Sequence, residues 1–258
     1  MVKLLSPIIT LSSIAAASAG NLRSSKGREL VTQLFDTADV NTDPPAVENF
    51  KETRIIGGDD AEEGESGYTV SLEDNFGHFC GGTLIRPDLV MSAAHCGGGS
   101  MSVRVGAHDI SKKEGKVISV TKQVIHNQYD PDTTDYDFMI LQLAEPVPAG
   151  TPIAKLHIRD DLQDNDSVHV IGWGNMNANG FKPAKVLQHV EVKYIPNKEC
   201  NQAYDGEITS VMLCAGEDNG GEDACQGDSG GPLVRKDGSD HTLVGVVSWG
   251  YGVSNFLL

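Results

Sequence analysis

The sequence predicts an all-β fold of the sandwich or barrel type, and three observations lead to that prediction. Short apolar stretches, many of them rich in Val and Ile, are separated by turn residues along most of the chain. The 29 glycines fall largely between these stretches. No long segment repeats its apolar residues with the 3.6-residue period of a helix. With 258 residues, of which 39% are hydrophobic, the chain is long enough to form a large β domain with its own core.

The strands are predicted where the apolar stretches lie, from residue 68 onward. Examples are Tyr68–Leu72, Thr83–Ile85, Leu89–Ala93, Val103–Val105, Ile118–Val124, Phe138–Leu143, Val168–Ile171, Val186–Tyr194 and Leu243–Trp249. One short helix is predicted over Asn197–Ala203, and no internal repeat is visible.

The first 19 residues are predicted to be a secretory signal peptide. Lys3 supplies a positive start, residues 4–17 are mostly apolar or small, and Ala17-Ser18-Ala19 fits the small-residue cleavage pattern. The run is shorter than the ~20 apolar residues that span a bilayer, so a membrane anchor is not expected. The protein is therefore predicted to be secreted and extracellular, with no membrane partner.

Residues 20–54 are predicted to be a pro-segment, which leaves 55–258 as the folded domain. The segment is polar, contains Pro44-Pro45, and shows no sustained periodicity. It ends at Arg54, which is followed by Ile55 and Ile56 and then by two glycines. A basic residue in a flexible segment is accessible to a tryptic protease. Cleavage between Arg54 and Ile55 is therefore expected.

The net charge of −16 restricts the possible partners. Residues 1–54 hold six basic and six acidic residues, so the whole excess lies in residues 55–258. Nucleic-acid binding needs clustered Lys and Arg, so nucleic acid is excluded as a partner. The favoured interpretation of the acidic charge is solubility. Attraction of basic substrates is the alternative.

A serine enclosed by glycines is the first candidate catalytic residue. In Gly227-Asp228-Ser229-Gly230-Gly231 the serine lies on a tight, open turn that lets a substrate backbone approach. The pattern alone also fits the nucleophile turn of α/β-hydrolases, whose acid and histidine follow the serine. Only 29 residues follow Ser229, too few for the strand–helix units that such a fold needs.

The opposite chain order, histidine then acid then serine, fits this sequence. His95 comes early in Ala93-Ala94-His95-Cys96, and Asp137 comes mid-chain before Phe138. A serine hydroxyl becomes a nucleophile when an imidazole takes its proton, and a buried carboxylate must hold that imidazole in the right tautomer. We therefore predict a catalytic triad of His95, Asp137 and Ser229. The other seven histidines are expected to be surface or packing residues.

These motifs and several others resemble the trypsin/chymotrypsin family of serine peptidases, over residues 55 to about 252. The matching stretches are Arg54-Ile55-Ile56-Gly57-Gly58, Cys80-Gly81-Gly82-Thr83-Leu84-Ile85, Ser92-Ala93-Ala94-His95-Cys96, Asp137-Phe138-Met139-Ile140-Leu141, Gly172-Trp173-Gly174, Cys214-Ala215-Gly216, Asp223 through Leu233, and Ser248-Trp249-Gly250. Each motif alone is modest, but together and in this order they are highly specific.

The resemblance implies two six-stranded antiparallel β-barrels with the active site in the cleft between them. His95 and Asp137 would come from the first barrel and Ser229 from the second. The backbone N–H groups of Gly227 and Ser229 would form the oxyanion hole, whose donors stabilise the tetrahedral intermediate. The resemblance also implies disulfides between Cys80 and Cys96 and between Cys200 and Cys214.

The resemblance further implies specificity for Arg and Lys. Asp223 would lie at the floor of the primary specificity pocket, with Ser248 and Gly250 also lining it, and a carboxylate there pairs with a basic side chain. After activation, the new ammonium group of Ile55 would pair with Asp228. The implied partners are protein or peptide substrates, an activating protease and protein inhibitors, and a monomer is expected.

Two departures from the family pattern matter. Ala107 and Val117 occupy positions where some trypsins have calcium-binding glutamates, so no metal and no cofactor are expected. Val253 occupies a cysteine position, which leaves Cys225 as the odd thiol among five cysteines. A segment after Gly252 and the final helix are expected to be missing. The alternative function is therefore a non-catalytic homologue that binds proteins, and weak activity or low stability of the 258-residue chain is expected.

Overall fold

The computed structural model describes residues 58–157, 161–176, 183–216, 227–238 and 240–250, and the backbone of 256–257. The predicted signal peptide and pro-segment, with Arg54 and Ile55, lie outside the described residues. Asp223, Cys225 and Val253 lie outside them as well. In the part of the chain that is described, no helix is long and apolar enough to cross a membrane.

The fold is all-β, as predicted, and its first half forms a closed six-stranded barrel. The strands of this half are β1 (Asp59–Asp60), β2 (Thr69–Asp74), β3 (Gly77–Arg86), β4 (Leu89–Ser92), β5 (Ser102–Val105), β6 (Lys116–Ile125) and β7 (Met139–Leu143). The barrel order is β2-β3-β4-β7-β6-β5, and all its pairs are antiparallel. The burial pattern of β7 alternates inward and outward, so Met139, Leu141 and Leu143 fill the interior.

The second half is a nine-stranded sheet, which occupies the place of the second barrel that the resemblance implied. Its strands include β8 (Lys155–Leu156), β9 (Ser167–Gly172), β10 (Gln188–Ile195), β11 (Cys214–Gly216), β12 (Pro232–Asp237), β13 (Asp240–Val246), β14 (Trp249–Gly250) and β15 (Phe256–Leu257). The sheet order is β14-β15-β11-β10-β9-β12-β13-β8, and β1 pairs with β10. A valine core from β9 and β10 supports this sheet. Each buried valine contributes roughly 1.5–3 kcal/mol.

The predicted short helix is confirmed as α1 (Asn197–Ala203). It carries Cys200, which forms a disulfide with Cys214 at the start of β11, with Cα atoms 6.4 Å apart. The second disulfide joins Cys80 of β3 to Cys96, with Cα atoms 6.3 Å apart. Both bridges that the resemblance implied are therefore present. Closing loops of this length stabilises a fold by roughly 3 kcal/mol each.

Candidate active site

His95 lies on a short 3-10 turn, Ala94–Cys96, which directly follows β4. The disulfide of Cys96 to Cys80 fastens this turn to β3. Ala94 and Cys96 are buried on either side, whereas the His95 side chain is 32% exposed. The turn is therefore held firmly while its imidazole remains accessible to solvent.

Asp137 lies two residues before the start of β7, and its carboxylate faces His95. Its Oδ2 atom lies 2.6 Å from His95 Nδ1, and its Oδ1 atom accepts a hydrogen bond from the His95 backbone N–H at 2.9 Å. The Asp137 side chain is only 4% exposed. Two bonds between the same residues fix both the position and the orientation of the imidazole.

Ser248, in the segment between β13 and β14, donates a third hydrogen bond to Asp137. Its Oγ lies 2.5 Å from Asp137 Oδ2. Burial by itself would raise the pKa of Asp137, but the hydrogen bonds from His95 and Ser248 outweigh it and hold that pKa below its ordinary value. The carboxylate is therefore ionised at neutral pH. The sequence suggested Ser248 as a pocket residue, and its contact with Asp137 was not predicted.

Ser229 lies in a turn that is packed against the loop carrying His95. Its carbonyl oxygen accepts a hydrogen bond from Gly81 N–H at 2.7 Å. A Cβ atom on the neighbouring Gly230 would lie 2.2 Å from Ser92 Oγ and 3.1 Å from Ala93 N, so glycine is required there. The backbone of this turn therefore lies in close contact with the end of β4, just before His95.

Asp228, the residue before Ser229, is fully buried. Its Oδ1 accepts a hydrogen bond from Gly174 N–H at 2.9 Å. A Cβ atom on Gly172 or Gly174 would lie within 2.2 Å of the carboxylate oxygens, so both positions leave space for it. Glycines in Gly172-Trp173-Gly174 thus form the pocket that receives this carboxylate.

His78 is a further residue of the site, and the sequence analysis did not identify it. Its Nε2 lies 3.0 Å from the Gly227 carbonyl oxygen, and its Nδ1 lies 2.8 Å from Ser71 Oγ. Burial lowers the pKa of His78, so the ring is neutral, with Nε2 as donor and Nδ1 as acceptor. Gly227 has a left-handed φ of +102°. Glycine adopts this conformation without strain, and the bond to its carbonyl oxygen helps to fix the orientation of the peptide beside Ser229.

A recess of about 390 Å³ adjoins Trp249, the residue after Ser248. It is lined by Asp132, Thr133, Thr134, Asp135, Glu207, Thr209 and Trp249. Asp135 accepts a hydrogen bond from Thr209 Oγ1 at 2.6 Å. Carboxylates thus dominate the charge of this recess, and its one large apolar wall is an indole.

Two groups of potential metal-ligating side chains occur among the described residues. The ligand atoms of Cys80, His95 and Cys96 lie within 4.8 Å of one another, but the two sulfurs are joined in a disulfide and offer no thiolate. In the loop before β6, the ammonium group of Lys112 lies 3.2 Å from Asp109 and 3.8 Å from Glu114. A cation from the chain itself thus lies between these carboxylates.

The described geometry is that of a serine hydrolase site: an ionised, buried carboxylate orients an imidazole, and a glycine-flanked serine turn lies against the imidazole's loop. The sequence model of the family described as Trypsin matches residues 55–256. The chain belongs to the trypsin family and is a serine-type endopeptidase.

Curated relatives agree with this assignment. "Trypsin" of Xenopus laevis is 40% identical over 206 residues, which cover 79% of this chain and 83% of the relative. "Trypsin 5G1" of Aedes aegypti is 43% identical and covers 77% of this chain and 76% of the relative. "Serine protease 1" of Rattus norvegicus is 40% identical and covers 77% and 80%. The endopeptidase is therefore favoured over the non-catalytic binding protein.

Proposed function

We propose that this chain is the secreted precursor of an endopeptidase that cleaves peptide bonds after Arg and Lys. The single observation that carries the proposed chemistry is the doubly bonded His95–Asp137 pair. An ionised carboxylate that accepts from Nδ1–H stabilises the tautomer in which Nε2 is free to act as a base. This is the tautomer that a serine nucleophile requires.

In the proposed mechanism, Ser229 Oγ attacks the scissile carbonyl carbon while its proton passes to His95 Nε2. The N–H groups of Gly227 and Ser229 donate to the oxyanion that forms. The C–N bond then breaks, the imidazolium proton goes to the leaving amine, and an acyl-enzyme remains. Water then attacks the acyl-enzyme ester and gives its proton to His95. The imidazolium returns a proton to Ser229 Oγ as the acid product leaves. Asp137 stays ionised throughout.

The proposed specificity depends on Asp223, which comes from the sequence pattern and lies outside the described residues. Relatives named Trypsin support this proposal. The recess lined by Trp249, the residue after Ser248, adds further carboxylates, and such a field attracts basic peptides. Protein substrates follow from the family, and an activating protease and protein inhibitors are the further proposed partners.

The proposed activation is cleavage after Arg54, followed by pairing of the Ile55 ammonium group with Asp228. The burial of Asp228 beside the serine turn supports it, because an ammonium group is a favourable partner for a buried carboxylate. Secretion is supported by the two disulfides, which are typical of oxidising compartments.

The proposal is tested with peptide substrates that differ only in the residue before the scissile bond. The chain is treated with an activating protease, and hydrolysis after Arg, Lys and Phe is compared with that by a matched Ser229→Ala chain. We expect Arg and Lys substrates to be preferred and the alanine chain to be inactive. A preference for Phe would refute the specificity. An active form whose N-terminus is not Ile55 would refute the activation step.

A further inference from the structure

A cluster of charged and imidazole side chains, separate from the predicted triad, lies between the segment that precedes β2 and the second sheet. We call it the histidine cluster. Its members are Glu65 and Tyr68 from the N-terminal segment, His169 from β9, His189 from β10, Lys236 from β12 and His241 from β13. None of these residues has a role in the proposed mechanism.

Lys236 is the centre of the cluster. Its Nζ donates to Glu65 Oε1 at 2.9 Å, and it lies 3.5 Å from His189 Nδ1. The Lys236 and Glu65 side chains are only 14% and 29% exposed. An ammonium group is a hydrogen-bond donor and has no acceptor. Its contact with His189 is therefore favourable only while Nδ1 carries no proton and can accept. A second positive charge at this distance would repel Lys236.

His169 stacks on His189, with ring centroids 6.3 Å apart and an angle of 12° between the planes. The Nδ1 atom of His169 is buried and makes no hydrogen bond with another described residue. An imidazolium carries a proton on both nitrogens, so charging this ring would bury an N–H group without a partner. Burial and the nearby Lys236 lower the pKa of His169 to about 4.

His241 connects the cluster to the N-terminal segment. Its Nδ1 lies 2.8 Å from Tyr68 Oη, and its Nε2 lies 3.9 Å from Glu65 Oε1. The ring is 9% exposed, and burial lowers its pKa. Among the described residues, Glu191 of β10 favours protonation of His169 and Asp240 of β13 favours protonation of His241, but burial has the larger effect. Asp59 of β1 lies opposite His189 in the strand pairing.

Few backbone bonds hold the N-terminal segment against the second sheet. β1 contributes the pairs Asp59 with His189 and Asp60 with Gln188, and Ala61 N–H donates to the Leu187 carbonyl oxygen at 2.9 Å. Gln188 Nε2 also donates to Asp60 Oδ1 at 2.7 Å, and beyond Ala61 the contacts of Glu65 with Lys236 and of Tyr68 with His241 continue the attachment. We propose that the histidine cluster is an acid-sensitive latch that fastens residues 59–68 to the second sheet.

The direction of the pH effect follows from proton binding. In the open state His169 and His241 take up protons near their ordinary pKa of 6.5, whereas in the closed state the pKa of both is lowered, to about 4 at His169. A lowered pKa in the closed state means that the stabilisation is complete above about pH 6.5 and is lost as the pH falls toward 4. Acid therefore opens the latch.

Hydrogen exchange measured by mass spectrometry tests the latch directly. The full chain carrying Ser229→Ala is compared at pH 7.5 and pH 5.0, with correction for intrinsic exchange, so that self-digestion and catalysis play no part. We expect protection of residues 59–68 to fall by about tenfold at pH 5.0, while protection of β7 is unchanged. Unchanged protection of residues 59–68, or an equal loss in β7, would overturn the latch.

Variants assign the response to its residues. The double variant His169→Gln/His241→Gln removes the two groups whose pKa the closed state lowers, and should reduce the acid response of residues 59–68 to less than about twofold. His126→Gln, which changes a histidine outside the cluster whose ring stacks on Tyr136, should keep the full response. A glutamine variant of the cluster that still shows the full response would refute the assignment. If the double variant fails to fold, the pH comparison on the Ser229→Ala chain still decides.

Discussion

Two polar clusters, each with a largely buried central residue, connect the N-terminal half of the chain to its second sheet, and they are built in opposite ways. In one, Asp137 is the central acceptor and receives donors from His95 and from Ser248. In the other, Lys236 is the central donor, and His189 is one of its acceptors. The carboxylate at the first centre keeps its charge in mild acid, because its pKa is lowered. The second cluster depends on neutral imidazoles, so a fall in pH is expected to disrupt the second cluster while the first stays intact.

The largest effect is expected when the first cluster loses its charge. Asp137→Asn should reduce kcat by about 10⁴-fold, the size known for the equivalent change in enzymes of this family and carried over from them. The amide cannot hold the Nδ1–H tautomer of His95. Steady-state kinetics on the activated variant measures the loss. The acid response of residues 59–68 should remain, and its disappearance would mean that the two clusters are not independent.

Ser248→Ala should give a smaller loss, of about tenfold in kcat. It removes one of the donors to Asp137, and a hydrogen bond to a charged group contributes roughly 1.5–3 kcal/mol, part of which water can replace. Ser248→Thr is the matched control because it keeps the hydroxyl. Full activity of the alanine variant would show that the bonds from His95 alone position the carboxylate.

His78→Ala should reduce kcat by about fivefold, with little change in KM. The variant removes the bond to the Gly227 carbonyl oxygen, and a neutral hydrogen bond is worth about 1 kcal/mol net. His78→Gln can still donate to that oxygen and should recover part of the rate. A merely structural role would instead lower the melting temperature of both variants equally and leave kcat of the folded enzyme unchanged.

The smallest effect is expected in the loop before β6. Lys112→Met removes the ammonium group between Asp109 and Glu114, but the lysine side chain is 69% exposed. Exposed ion pairs contribute little, so the melting temperature should shift by less than about 2 °C. Repeating the melt with added calcium shows whether Asp109 and Glu114 then take up an external cation, which would appear as a rise in melting temperature.

The strands that the sequence predicted are those with clear apolar patterns. β2, β7 and β10 all have alternating or continuous apolar faces, and each was placed correctly. β12 was not predicted, because Arg235, Lys236 and Asp237 make its second half polar. β1 and β8 have two residues each, too few to show any period. The predicted stretch Leu243–Trp249 is divided in the structure between β13 and β14.

The residues of the candidate active site also fall into two groups, those that a local sequence pattern predicted and those that it did not. His95, Asp137 and Ser229 lie in local motifs that carry their chemistry in a few neighbouring residues. The bond from Ser248 to Asp137 spans 111 positions, and the bond from His78 to Gly227 spans 149. No local pattern encodes such pairings, because they exist only after the barrel and the sheet have come together. The histidine cluster, assembled from five separate segments, was beyond sequence reasoning for the same reason.

The most direct test of the proposed site is labelling of the activated chain by a serine-reactive phosphonate, with the modified residue identified by mass spectrometry. The phosphonate reacts only with a serine that a neighbouring base activates. The account predicts one label, on Ser229, that is lost in Ser229→Ala and strongly slowed in Asp137→Asn. A label on another serine, or equal labelling of the Asp137→Asn chain, would contradict it.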